Sequence, residues 1–232
     1  MTELFTSPAW TEALLILKSE TITAIWETLY STVLATAFAY LIGLPLGVLL
    51  VTGETDGIRP LPKPLMAVMN FVVNILRSVP FLILMIVAIP LTRAILGTAI
   101  GTKAMIPPLV FAAFPFVSRL VETSLRETDK GVIEAAQSMG ATPFQIVYKV
   151  MLPEAKPSLI SGATTAFITI LGYGAMAGAI GGGGLGNLAI TYGYYKFKAI
   201  IMWAAVIMIV ILVQIFQSVG TRLAVKSDKR IN

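Results

Sequence analysis

The stretch AIIMWAAVIMIVILVQIFQSVGT, residues 199–221, runs for 23 residues without a charge between Lys198 and Arg222. About 20 apolar residues suffice for a helix to cross the hydrocarbon core of a bilayer. Within that core every backbone N–H and C=O needs an internal partner, so such a segment crosses as a helix. The rest of the chain agrees. Of its 232 residues, 56% are hydrophobic and 12% charged, about half the roughly 25% charge of a soluble domain. The sequence reads as a membrane protein built of helices.

Four further spans are expected. Between Glu27 and Glu54 lie 26 uncharged residues, which predicts a first span over residues 26–51, with Pro45 between Gly43 and Gly47 as a kink. Ahead of it, Ser7 and Pro8 match an N-cap and a first helical position. A short helix over residues 8–18 is therefore expected on the membrane surface, with Trp10 and Trp26 as interfacial anchors. Glu3, Glu12 and the lack of a basic start argue against a signal peptide. Residues 65–91 contain Arg77, and two readings stay open. Either one long helix carries the arginine inward as a functional candidate, or a surface helix with a snorkelling arginine ends there and a short span starts at Ser78. A third span is predicted over residues 104–121, bent by Pro107, Pro108 and Pro115. Residues 158–195 are uncharged but too long for one crossing, so a fourth span ends near residue 180 and the glycine run 181–186 forms a loop. The expected fold is all-α, a polytopic membrane protein with five transmembrane helices, forming a single transmembrane domain over residues 1–232.

Five spans put the termini on opposite sides. Ten Lys and Arg residues then fall on the face that holds the first loop, residues 122–156 and the C-terminus. Five fall on the other, with Arg77 and Arg119 inside spans. The positive-inside rule places the N-terminus out and the C-terminus in. The net charge of +5 is thus a topological signal and gives no reason to expect nucleic acid as a partner. The chain has no Cys and no His. That removes disulfides, zinc sites of the usual kind, haem held by either residue, and serine–histidine or cysteine–histidine catalysis. No metal site is expected, no span holds a carboxylate pair, and no GxxxxGK[ST] phosphate loop is present, so the chain is not expected to be an enzyme.

One cytoplasmic segment is polar yet patterned: EAAQSMGATPFQIVYKVMLPEA, residues 134–155. Asp129 is a cap for a helix from Lys130 that stops at Gly140. Thr142 caps a second helix, with Pro143 first and Gln145 completing a capping box. Pro153 is expected to end it by Leu152. Val132, Ala135, Ala136 and Met139 form one apolar stripe, and Phe144, Val147, Tyr148 and Met151 form another. Helices of about ten residues are marginal alone in water. They pack either on the protein's own membrane face or on a partner, and pattern alone leaves both readings open.

Glu134, Ala135, Ala136, Gly140, Leu152 and Pro153 stand at the spacing Glu-Ala-Ala, three residues, Gly, nine residues, Ile, one residue, Leu-Pro, with Val150 in the isoleucine place. This segment resembles the signature of ABC-importer permeases. GLPLGVLL, RSVPFLIL, MGATPFQIVYKVMLPEA and GYGAMAGAIGGGGLG are similar to the methionine branch of that family, and the likeness covers most of residues 27–222. The resemblance implies a type I importer permease in the bacterial cytoplasmic (inner) membrane. It implies as partners a second copy of the chain, two cytoplasmic ATPase subunits, an extracytoplasmic methionine-binding lipoprotein and membrane lipid. ATP and Mg would be bound by the ATPase, with no cofactor in this chain. Residues 122–157 would be the ATPase-coupling loop, in which Gly140 makes the turn, Ala135 and Ala136 allow close approach, and Glu134 offers a charged contact at the rim. The implied function is an alternating-access path for L- and D-methionine.

In the fourth span, Gly172, Gly174, Gly178, Ala175, Ala177 and Ala179 mean either tight helix packing or, by the resemblance, a lining for the path. Tyr173 and Met176 are the gate candidates in the second case. The glycine run 181–186 is either a flexible outer loop that meets the binding protein or a turn. Two rival functions remain. One is a permease of the same family for another amino acid or small solute. The other is a non-transport membrane subunit of a redox complex. A stand-alone channel would not need a capped double-helix loop.

Overall fold

The computed structural model describes residues 8–228, and among them there is no strand. Helix α1 (Pro8–Thr52) is one run of 45 residues, about 68 Å long at 1.5 Å per residue. The expected separate surface helix over residues 8–18 is therefore absent as such. No Gly or Pro lies between Ala9 and Ile42 to break the helix, and Pro45 sits inside it without ending it. Ser7, the expected cap, lies outside the described residues, as do Lys229 and Arg230 of the charge count.

Helix α2 (Lys63–Ser78) ends at Val79, which is extended (φ −79°, ψ 127°) ahead of Pro80, as a residue before proline prefers. Of the two readings of Arg77, the helix that ends there holds. Arg77 is exposed in the last turn, where a cation suits the helix dipole. Beyond Pro80 the chain forms two short helices rather than one short span, α3 (Phe81–Val87) and α4 (Ile89–Leu96). Pro90, in the first turn of α4, has no N–H with which to continue α3.

After a 3-10 turn at Lys103–Met105, α5 (Ile106–Arg126) runs past residue 121, where it was expected to stop. Glu122, expected outside the membrane segment, lies buried inside the helix. The loop helices are α6 (Lys130–Ser138), α7 (Pro143–Ile146) with a π turn at Val147–Met151, and α8 (Leu152–Glu154). Helix α9 (Lys156–Ala177) ends in a 3-10 turn at Gly178–Ile180. The glycine run is not all loop: its second half opens α10 (Gly184–Leu188), which passes into a π-helical segment at Ala189–Tyr195. Helix α11 (Ala199–Ser227) closes the described chain.

Four helical segments among the described residues are long and apolar enough to cross a membrane: Trp10–Thr52, Lys103–Arg126, Lys156–Ile180 and Ala199–Ser227. The pair α2 and α3, bent by 105°, makes a fifth if it counts as one broken span. Trp203, Ile207, Val210, Ile211 and Ile215 of α11 are exposed, as lipid-facing side chains are.

The chain divides into two compact units. One takes the start of α1 up to Thr36, Phe81–Val110 and Phe167–Ile215. Its core gathers Ala13, Ala24, Leu185, Leu188, Ile201 and Ala205. Here α10 lies so close to α9 that a Cβ on Gly186 would stand 2.2 Å from the Ala175 carbonyl oxygen. The other unit takes Ala37–Pro80, Phe111–Ala166 and the chain from Phe216 onward. Its core includes Leu50, Met66 and Val73, flanked by Leu46, Leu61 and Met69. In it α1 meets α5 through Gly43 and Gly47, four residues apart, the small-residue spacing that lets membrane helices touch backbone to backbone. A Cβ on Gly47 would lie 2.6 Å from the Ser118 carbonyl oxygen.

Candidate coupling hairpin and path residues

Local sequence builds the hairpin α6–α8. The Asp129 carboxylate accepts the Gly131 N–H at 2.7 Å and starts α6. At the other end Gly140 adopts φ +78°, a left-handed geometry that only glycine takes readily. Its N–H donates to Gln137 O at 2.9 Å, and the Ala141 N–H donates to Ala136 O at 3.1 Å, the two bonds of a Schellman closure. The Thr142 hydroxyl accepts the Gln145 N–H at 3.3 Å, while Gln145 Oε1 accepts the Thr142 N–H at 2.9 Å. The capping box expected at Thr142 is thus complete.

The second helix does not end by Leu152. It widens into the π turn and continues through Pro153 to Glu154 before the chain bends at Ala155. In a regular helix the proline ring would strike the carbonyl four residues earlier; the wider turn before it relieves that contact.

The two apolar stripes are split rather than turned out as a whole. Ala136 and Met151 are buried, and so is Ile146, which stood in neither stripe. Val132, Ala135 and Met139 are exposed, and Phe144 and Tyr148 are 77% and 64% exposed with rings stacked at 6.2 Å. Buried Ala136, Ile146 and Met151 thus seat the hairpin on its own unit, while an aromatic pair faces outward. Glu134 is exposed, Leu152 half-buried and Pro153 exposed. Glu134 also borders a cavity of about 400 Å³ whose walls include Glu54, Asp56, Arg126 and Lys130.

Sequence reasoning missed a row of polar bonds beside this hairpin. From α5, Arg119 Nη2 donates to Asn70 Oδ1 at 2.8 Å and to Asn74 Oδ1 at 2.9 Å on α2. Its Nη1 meets Glu122 Oε2 at 2.5 Å. The other oxygen of Glu122 accepts from Arg126 Nη2 at 2.7 Å. Arg126 in turn grips both oxygens of Glu54 at 2.7 and 2.8 Å, and holds that carboxyl below the usual carboxylate range. The legible signal was the spacing Arg119, Glu122, Arg126, which puts three alternating charges on one helix face. On the far side of α5, the Ser158 hydroxyl lies 3.0 Å from Ser124 Oγ and 3.1 Å from Glu127 Oε1, tying the start of α9 to the end of α5.

The path candidates lie in the other unit. Tyr173 stacks flat on Phe81, centroids 4.4 Å apart and planes within 5°, a partner the sequence did not suggest. Met176 is 49% exposed, and a Cβ on Gly172 would meet nothing within 4 Å. Gly178 instead is packed shut, its added Cβ standing 2.3 Å from Asn187 N. The small residues of α9 and the turn after it thus divide, with Gly178 in tight packing and Gly172 on an open surface.

Long apolar helices with a doubly capped hairpin inserted between two of them define a polytopic α-helical membrane subunit. The chain belongs to the family of binding-protein-dependent transport system inner membrane components, whose family model matches residues 43–232. It is the membrane-embedded component of such a system, not the ATP-hydrolysing one. It is 49% identical over 209 residues to the probable D-methionine transport system permease protein MetI of Vibrio cholerae, covering 90% of this chain and 92% of that protein. It is also 49% identical over 168 residues to the methionine import system permease protein MetP of Bacillus subtilis, covering 72% and 76%. Its fold matches a solved chain of the MetNI methionine ABC transporter in inward-facing conformations with a TM-score of 0.88 at 42% identity, over 97% of this chain and 100% of that one. A structure of an amino acid ABC transporter at 21% identity and TM-score 0.66 shares the fold.

Proposed function

We propose that this chain is the permease of a methionine importer, carrying L- and D-methionine across the inner membrane by alternating access. On this reading residues 1–232 act as one transmembrane domain, N-terminus out and C-terminus in. Two copies pair with each other and with two cytoplasmic ATPase subunits that bind ATP and Mg, and an extracytoplasmic lipoprotein delivers the substrate. The substrate assignment is supported by the names of relatives that match most of the chain.

The observation that carries the coupling assignment is the exposed, stacked Phe144–Tyr148 pair on a hairpin whose local ends are capped. Two large rings held out in water gain the burial of their apolar area on meeting a partner, and their mutual stacking limits the ordering cost. The buried Ala136 and the Gly140 turn hold the hairpin to its own unit, Ala135 leaves room for a close backbone, and Glu134 supplies a charge at the rim. Leu152 and Pro153 set where the chain returns to α9. Movement of this hairpin by the closing ATPase then turns the spans from inward- to outward-facing. Tyr173, steadied by Phe81, and Met176 line the path.

The deciding experiment is uptake of labelled L- and D-methionine into proteoliposomes that contain the chain with its ATPase subunits and binding protein. ATP-dependent uptake competed by both enantiomers is expected. Uptake that ignores excess methionine would move the reading to another small solute, and an absence of any associated ATPase would sink it.

A further inference from the structure

We infer that the row Asn70/Asn74–Arg119–Glu122–Arg126–Glu54 is a transmission element, and that Arg119 and Glu54 are positioning residues which keep hairpin movement coupled to transport. The inference rests on the coupling role proposed above for residues 129–155.

The hairpin joins α5 through only residues 127–129, so a push on α6 reaches α5 directly. It reaches α2 and the first loop only through side chains. Apolar contacts among Leu50, Met66 and Val73 hold these elements together, but burial is non-directional and ties register less sharply than paired polar groups do. The polar row is directional. One guanidinium nitrogen of Arg119 bonds two asparagines one turn apart on α2, which sets the register of α2 against α5. The two-pronged grip of Arg126 on Glu54 does the same for the first loop. Between them Glu122, 7% exposed, answers both arginines.

Stability alone does not explain the arrangement. A buried ion pair is commonly matched or exceeded in stability by apolar side chains of the same size. Charges in membrane helices are costly and tend to mark function. What an apolar replacement cannot reproduce is register. The row would make α2, the first loop and the hairpin-bearing end of α5 move as one body.

The test compares Arg119→Met and Glu54→Gln with the unaltered chain, each reconstituted with its ATPase subunits and binding protein. The readout is methionine transported per ATP hydrolysed. Both variants are expected to hydrolyse ATP within about twofold of the unaltered complex, with the ATPase subunit bound at normal yield. Transport per ATP should fall at least about fivefold. If Arg119→Met does not reach the membrane, Glu54→Gln decides the matter, since Glu54 lies in a loop with its side chain 38% exposed. Unchanged transport per ATP in the variants, with normal uptake by the unaltered chain, overturns this inference alone. No ATP-dependent uptake by the unaltered chain overturns the proposed function and this inference together.

Discussion

The Glu27 carboxylate accepts the backbone N–H of Gly184 at 2.8 Å, joining α1 to the glycine turn across 157 positions of sequence. Next to it the Thr28 hydroxyl accepts the Leu185 N–H at 2.9 Å. Two of the N–H groups that open α10 are thereby satisfied in a setting where water is scarce. Leaving a buried donor unpaired costs about 1–3 kcal/mol. Glu27→Ala should lower the thermal midpoint of the detergent-solubilised protein clearly, and Glu27→Gln, which keeps an acceptor oxygen, should lower it less. Equal midpoints for all three would show that the turn does not depend on this bond.

Gly47 marks the closest approach of α1 to α5. A valine there places its Cβ 2.6 Å from the Ser118 carbonyl and 2.7 Å from Val121 Cβ, so two backbones must separate. Overpacking of this kind costs about 1–3 kcal/mol or more. Gly47→Val should reduce the yield of monodisperse protein, whereas Gly172→Ala, facing open space, should leave it unchanged; size-exclusion profiles compare the two.

Gly140→Pro and Glu134→Lys test the hairpin. Proline cannot take φ +78°, and even alanine would pay about 1–2 kcal/mol there. A lysine at position 134 stands one turn after Lys130 and reverses the rim charge. Both variants should reach the membrane at normal level yet abolish uptake. Normal co-purification of the ATPase subunit together with normal uptake would contradict the coupling role.

Thr142→Ala removes the side-chain acceptor for the Gln145 N–H and should destabilise the start of α7 by about 1 kcal/mol. Faster amide exchange is expected at residues 143–146, with the helices of the spans unaffected. Exchange measured by mass spectrometry in detergent resolves the peptide.

Glu54 supplies a pH dependence whose sign is set by its partner. Arg126 bonds the carboxylate and lowers its pKa from the ordinary 4.5. Folding therefore favours the ionised form. The stabilisation is complete above the unfolded value and is lost as pH falls through the lower folded one. Amide protection of residues 53–61 should be flat above about pH 5 and decline below that, and Glu54→Gln should remove the decline.

Much of this was legible along the chain. The apolar run 199–221, the caps Asp129 and Thr142 and the turn at Gly140 depend on neighbours within a few residues, so local sequence predicts them. The family signature at Glu134–Pro153 was legible for the same reason: it is a contiguous string. Boundaries that depend on distant contacts were not. Glu122 reads as a charge outside the membrane until Asn70, Asn74 and Glu54 are seen to hold the two arginines that flank it. Gly184 reads as loop until Glu27 and Thr28 arrive to cap it. Arg77 stayed ambiguous because the helix-ending effect of Pro80 and the pull of a long apolar run compete in sequence.

By itself, then, the sequence determined that this is a helical membrane protein with a capped hairpin of a known permease type, because hydropathy, caps and turns act over single helical turns. Tertiary structure decided which faces of that hairpin are buried, which glycines are packed shut, and which charges meet. Many of those outcomes rest on groups brought together from distant positions, such as Arg119 with Asn70, 49 residues apart, and Glu27 with Gly184, 157 apart. No local pattern encodes such a meeting, because it exists only once the helices have packed.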